Sequence, residues 1–323
     1  MPFRAVFLFL FALLPVSVGL ARERTEEKTF SLSGPPTVRI SAYRGSVTVE
    51  SSEEEVVRVK VTANSALEQA EAAERALAAL QLDWAQEGNT FTLKAMNRAE
   101  TGVRFFWQDG AQLEVNITVT VPRVCALNLS VDDGNIRVGD INGTVRAKTG
   151  AGLVFCRHVD GALTVENGRG DIIVSACTGD VDLAATRGIV RTGPIGGMAK
   201  VTATNGDIEL LSVSGGLEAK ADGGEVTVGI PRVFAGKASI KAAGGDVNLK
   251  IDPAANVDLS ASSVWGQVRL IPVGRQVLPL VTESGGQGRH ALVGRLNAGG
   301  IVIEARANGG HVNLTGEVPP FSG

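Results

Sequence analysis

Eleven glycines recur at a strict interval of nine residues: Gly134, Gly143, Gly152, Gly161, Gly170, Gly179, Gly188, Gly197, Gly206, Gly215 and Gly224. Counting each as position one, positions three and five are apolar in unit after unit, as in Ile136 and Val138, Leu163 and Val165, Ile172 and Val174, Val181 and Leu183, and Ile208 and Leu210. Successive side chains of a strand point to opposite sides, so apolar residues two apart mark a short strand with one buried face. The glycine supplies the corner, where a positive φ is cheap.

Alternate units differ. One set has an apolar or thiol-bearing residue at position eight, Ile141, Val159, Cys177, Ile195 and Val213; the other has a small or polar one at position seven, Thr149, Asn167, Ala185, Ala203 and Ala221. The true period is therefore eighteen, as expected if each coil lies on the one before at the ~4.8 Å inter-strand spacing. The expected class is all-β: a β-solenoid with about 18 residues per coil, made of two 9-residue strand-turn units. A calcium-binding roll also uses nonapeptides but needs G-G-x-G-x-D, whereas Asp171, Asp180 and Asp207 follow glycines without that pattern and read as turn and edge residues. A three-sided helix of hexapeptides would want apolar residues every six, which the spacing does not offer.

The period slips at Ile230-Pro231-Arg232, where three extra residues precede Gly236, and resumes at Gly245 with Val247 and Leu249. It is lost over 250–302 and returns in Ile303-Glu304-Ala305-Arg306-Ala307 and in Gly310-His311-Val312-Asn313-Leu314. Residues 125–250 are thus the regular solenoid, 251–317 an irregular excursion with C-terminal coils, and 318–323 a tail. A solenoid leaves raw strand edges at its ends, and residues 22–124 offer a cover for one of them. They read as strands around one capping α-helix at about 65–82, with Ser65 and Glu68 in capping-box spacing and a stripe of Leu67, Ala70, Ala73, Leu77 and Leu80.

Residues 1–21 have a basic start at Arg4, an apolar run from Ala5 to Val18 and small residues before Arg22, the pattern of a secretory signal peptide cleaved after Ala21. An uncleaved anchor would need about 20 apolar residues, and Pro15 interrupts this run. No transmembrane segment is expected in the mature chain. Three cysteines, Cys125, Cys156 and Cys177, are an odd count for a disulfide framework. Cys156 and Cys177 fall on inward positions and read as small buried hydrophobes.

Several segments together resemble the bacterial putative-adhesin domain family with β-strand repeats. They are Tyr43-Arg44-Gly45-Ser46-Val47-Thr48-Val49, the helix, Val119-Thr120-Val121-Pro122-Arg123, the T-N-G-D-I unit Thr204 to Ile208, and the closing Asn297-Ala298-Gly299-Gly300 and Gly309-Gly310-His311-Val312-Asn313-Leu314. The resemblance covers nearly the whole mature chain and its motifs are structural. It implies an exported or envelope-associated domain of unknown function, with no agreed catalytic residues to carry over.

With 31 Lys+Arg against 34 Asp+Glu the net charge is −3, so nucleic acid is not an expected partner. His158, His290 and His311 lack metal-ligand spacing and read as lone surface residues; no G-x-S-x-G elbow occurs, and no cofactor, metal or catalytic residue is implied. A sugar-cleaving β-helix would gather carboxylates on one outer face, but position four of the even units holds Arg146, Thr164, Asp182, Lys200 and Glu218, a solvated mixture.

Two groups remain as partner-binding candidates. Phe105, Phe106 and Trp107 form an aromatic cluster between polar segments, which either docks a partner or folds inward to close the core. Leu153, Phe155, Ile173 and Ile189 are apolar at outward positions of successive odd units and would merge into a patch, either covered by Val277-Leu278-Pro279-Leu280-Val281 or used for a partner or self-association. The expectation is a non-enzymatic binding or structural element of the cell envelope, periplasmic or at the surface, acting on a protein or glycan. The alternatives are a periplasmic accessory or sensor protein in envelope-stress signalling, and a carbohydrate-active enzyme.

Overall fold

The computed structural model describes residues 23–31, 34–97, 113–275, 277–287 and 289–319. Each coil contributes one strand to each of two long, facing sheets. In the first, Ile136–Asn142, Val154–Asp160, Ile172–Cys177, Val190–Ile195, Ile208–Val213, Val226–Ile230 and Val247–Ile251 stack in parallel; in the second, Ala126–Asp133, Val145–Ala151, Leu163–Asn167, Val181–Arg187, Ala199–Asn205, Leu217–Ala221 and Ala238–Ala242 do the same. The register follows the period: Val145 pairs with Leu163, Leu163 with Val181, Val181 with Ala199 and Ala199 with Leu217. It jumps once, from Leu217 to Ala238, where the three extra residues loop out and bury Phe234.

The core lies between the sheets as continuous ladders. Ile136, Val138, Ile141, Val145, Ala147 and Thr149 are all buried, and each successor eighteen residues on repeats the pattern. Position seven of the even units faces inward at the corner, which explains its small or polar character. Thr149 Oγ1 donates to Gly134 O at 3.0 Å, and Asn167 Nδ2 donates to Gly152 O at 2.8 Å. The acidic and amide residues at the corners tie coil to coil: Asn135, Asp171, Asp207 and Asp246 accept the backbone N–H of Leu153, Ile189, Glu225 and His311, and Asp180 accepts that of Met198. A carboxylate or amide oxygen spent on an otherwise orphaned N–H of the next coil is a structural group.

Both ends are closed out of sequence order. At the N-terminal end the first coil, Thr37–Arg44 and Val47–Ser52, lies inside the coil made by Thr90–Asn97 and Leu113–Pro122. Beyond it the first sheet ends in two antiparallel strands, Val56–Ser65 and the charged edge Glu23–Ser31, and the second ends in Leu80–Glu87. The helix is Ala70–Ala79, shorter than the 65–82 expected, and the capping box does not form. Ser65 is the last residue of its strand, paired with Leu113, and its Oγ accepts the Leu67 N–H at 3.4 Å. Ala73 and Leu77 are buried, and Arg24 Nη1 donates to Leu77 O and Leu80 O, satisfying carbonyls at the helix C-terminus.

Aromatic rings close this end of the core. Phe30 from one edge strand and Trp84 from the other meet over Phe91, at 4.5 and 6.2 Å from it, with Lys28 Nζ 4.5 Å above the Trp84 ring. At the C-terminal end the last coil by sequence, Ile301–Ala307 and Val312–Gly316, is inserted between Ala238–Ile251 and the coil Val257–Ser263 and Val268–Ile271. An antiparallel pair, Leu280–Gln287 and Ala291–Leu296, extends the second sheet beyond it.

Candidate interaction face

Along the outer face of the first sheet one column runs Thr48, Arg137, Phe155, Ile173, Arg191, Glu209, Thr227, Asn248, Asn313 and Arg269. Phe155 and Ile173 are direct register partners, both half-buried, and are the only apolar members of that column. Arg137 adjoins Phe155, and Arg191 adjoins Ile173 with its Nε donating to Glu209 Oε2 at 2.6 Å. One strand position further, Arg157 grips Asp140 through two hydrogen bonds of 2.7 and 2.6 Å. The result is a half-buried apolar pair flanked by Arg137 and Arg191, of which Arg191 is already paired with Glu209.

Leu153 and Ile189, both half-buried, stand two residues ahead of Phe155 and Arg191 in their coils. They sit at position two of coils that are not neighbours, with Asp171 between them, and each has its backbone N–H taken by the residue below, Asn135 for Leu153 and Asp171 for Ile189. Val277–Val281 does not cover the patch. Leu278 lies against Gly316 near the C-terminal end, 3.4 Å from where a Cβ would stand, while Val277 and Val281 are exposed. Phe105, Phe106 and Trp107 lie outside the described residues.

The column Arg146, Thr164, Asp182, Lys200 and Glu218 is in register on the second sheet, with Lys200 Nζ 4.0 Å from Asp182 and Lys148 bridging to Glu166 at 2.7 Å in the parallel column. Opposite charges alternate along it, which neutralises the face. Among the described residues no group of three or more His, Cys, Asp or Glu gathers as for a metal ion. His158 is exposed, but His311 is half-buried: it stands where other coils have aspartate, and its Nδ1 accepts the Gln267 N–H at 2.9 Å. His290 is exposed, with its Nδ1 2.7 Å from Gly266 O. All three cysteines are free and buried, and burial pushes the Cys125 and Cys156 thiols up to about 12, far from a reactive thiolate. Among the described residues no helix is long and apolar enough to cross a membrane.

No curated protein matches the chain. Crystal structures of a putative adhesin from Parabacteroides merdae (10% identity, covering 90% of this chain and 96% of that one, TM-score 0.44) and of a putative adhesin from Bacteroides fragilis (14%, 90% and 96%, TM-score 0.39) are similar to it. So is a putative lipid binding protein from Parabacteroides distasonis (10%, 90% and 96%, TM-score 0.34). Two parallel-rich sheets, coils of eighteen residues and out-of-order ends occupy the stretch that a family model matches from residue 37 to residue 315, and the chain belongs to that family, Toastrack DUF4097.

Proposed function

We propose that the protein is an exported, non-enzymatic β-solenoid that serves as an adhesin-like binding or structural element of the bacterial cell envelope. The observation that carries this reading is the Phe155–Ile173 pair, an apolar break in an otherwise polar ladder that contributes nothing to the inner core. The signal-like pattern of residues 1–21 supports export, and the family membership agrees with a repeat scaffold. The mechanism is geometric. Stacked Val, Ile and Leu ladders hold the rod rigid, and the rod holds Phe155 and Ile173 between Arg137 and Arg191 for a protein or glycan partner with an apolar group beside an acidic one.

Two arms test it. External protease on intact cells separates surface exposure, where the protein is cut, from periplasmic confinement, where it is released only when the envelope is opened; retention in the cytoplasm would overturn the reading. A photo-crosslinking residue at Phe155 should give a discrete adduct in living cells that the same residue at Thr227, in the same column, does not give. Equal yields from both positions, or none, would remove the face as a partner site.

A further inference from the structure

One corner of the rod is stacked along its whole length, and its outermost place is small or polar in coil after coil: Asp133, Ala151, Arg169, Arg187 and Asn205, then Gly223, Gly244 and Gly309. In the terminal coil at the C-terminal end that place holds Trp265, preceded by Val264. The equivalence is fixed by the backbone. Val264 N–H donates to Ala307 O and Trp265 N–H to Asn308 O, while Ser263 Oγ donates to Gly310 O as Thr149 and Asn167 do to their corner glycines. Trp265 is 82% exposed and Val264 47%, so the indole packs no core. Ile271 and Val273, which leave the same terminal coil, are exposed as well.

The surroundings are basic. Arg289 O accepts the Val268 N–H, and the Arg289 guanidinium lies 2.7 and 2.8 Å from the Gln267 side-chain oxygen once that amide is oriented to accept. Arg269 projects from the edge strand beside His311. Between Leu259 and Ile303 the chain has Arg269, Arg275, Arg289 and Arg295 against one carboxylate, Glu283, and Arg295 is paired with Asp258 at 2.9 Å. The opposite end differs: its edge strand mixes Glu23, Glu26 and Glu27 with Arg24 and Lys28, and Phe30 and Trp84 pack against the core.

An exposed indole with aliphatic neighbours and a rim of guanidinium groups suits the boundary of an anionic bilayer, where the ring sits at headgroup level and the cations meet lipid phosphates. A second copy docked through the same end fits less well, because the pair would bring two basic rims together. A head-to-tail copy would offer the indole an end whose edge strand is of mixed charge and whose rings, Phe30 and Trp84, are already packed on its own core. A partner strand fits less well beside Trp265, since the edge strand Val268–Ile271 has four residues and stops at Pro272; the longer edge Leu280–Gln287 belongs to the other sheet. We infer that the C-terminal end docks end-on to an anionic lipid surface through Val264, Trp265, Ile271 and Val273, with Arg269, Arg275 and Arg289 on the headgroups. Seven inter-strand steps of ~4.8 Å then hold the Phe155 coil roughly 34 Å from the lipid.

The test is co-sedimentation of the purified mature protein, from Arg22 onward, with vesicles of phosphatidylcholine alone and of phosphatidylcholine with phosphatidylglycerol, read together with tryptophan fluorescence. The expected result is binding at least about tenfold tighter to the anionic vesicles, weakened by salt, and a blue-shifted emission that Trp265→Ser removes together with most of the binding. Because Trp265 is so exposed, the variant should melt as the parent does. Arg269→Ser with Arg275→Ser should abolish the preference for phosphatidylglycerol. Phe155→Ser should bind vesicles unchanged, so this inference and the proposed partner face fail separately. Absence of binding, or full binding by Trp265→Ser, overturns the inference. So does a concentration-dependent dimer that Trp265→Ser dissociates while vesicles are ignored, which would make the end an interface between copies.

Discussion

Gly170 and Gly206 hold the same place in the repeat, and a Cβ would clash with the coil below at both, at Gly170 2.2 Å from Gly152 O; what differs is the dihedral angle. Gly170 has φ +116, where an L side chain is strained. Gly206 lies outside the left-handed region, yet a Cβ there would stand 1.9 Å from Gly188 O, the corner carbonyl of the coil below. Backbone facing backbone has no flexible end to yield, so Gly206→Ala should cost about 3 kcal/mol, at the upper end of overpacking penalties. Gly88 is the control: φ +58 with nothing within 4 Å, so Gly88→Ala carries only the left-handed penalty of about 1–2 kcal/mol. Denaturant midpoints of the two variants decide it, and a smaller loss for Gly206→Ala would show that the coils can part at the corner. The nine-residue interval reveals that only glycine fits, but not whether dihedral angle or contact excludes the rest.

The buried thiols give a second prediction at this scale. Burial pushes the Cys156 thiol from 9.0 up to about 12, with a smaller push from Cys177. A folded value above the unfolded one favours the protonated native state. That stability is complete below pH 9 and is lost as pH rises from there toward 12, about 4 kcal/mol for the three-unit difference. The thermal midpoint should therefore hold steady near neutrality and fall above pH 9, and Cys156→Ala should fall less steeply. Identical slopes would assign the alkaline loss to other groups.

At the scale of elements, what was legible is what the period controls. The eighteen-residue repeat set the inward ladders and put Phe155 on Ile173, because position four of neighbouring coils is bound to meet in a parallel register. The same count places Asp171 between Leu153 and Ile189 at position two, so those two are not register neighbours of each other. The N-terminal elements escaped local signals. Ser65 carries capping-box spacing, but pairing with Leu113 holds it in a strand, and ladder hydrogen bonds outweigh one side-chain cap. Trp84 and Phe91 share one hairpin, but Phe30 joins them from the edge strand Glu23–Ser31 of the other sheet, a grouping that only tertiary structure creates. Trp265 was legible in principle, as the one aromatic in a corner column of small and polar residues. The column could not be counted through 250–302, where the period is lost.

On the scale of the whole molecule, the order of coils at the C-terminal end is the feature furthest from the sequence. Val268, Leu270, Val312 and Leu314 have the same inward spacing, so either coil could stack next to Val247 and Leu249. The choice is made by Ala291–Leu296, which pairs antiparallel with Val257–Ser263 and thereby commits that coil to the outside, leaving the slot beneath it for the last strands of the chain. The arrangement predicts which cysteines can be joined. Asn248 and Asn313 are register partners on the outer face, with Asn313 Nδ2 donating to Asn248 Oδ1 at 2.8 Å, whereas Arg269 is one coil further out. Asn248→Cys with Asn313→Cys should oxidise within one chain, while Asn248→Cys with Arg269→Cys, about 9.6 Å apart across two strand spacings, should stay reduced. The native thiols are buried and held protonated, so they should not compete. Because the bond closes a loop spanning 65 positions, the oxidised protein should gain up to about 4 kcal/mol. Mass spectrometry of the non-reduced digest and melts with and without reductant check both claims. Cross-linking of the 248–269 pair in preference to 248–313 would put the chain's last coil at the outside and leave Val257–Ile271 in the slot.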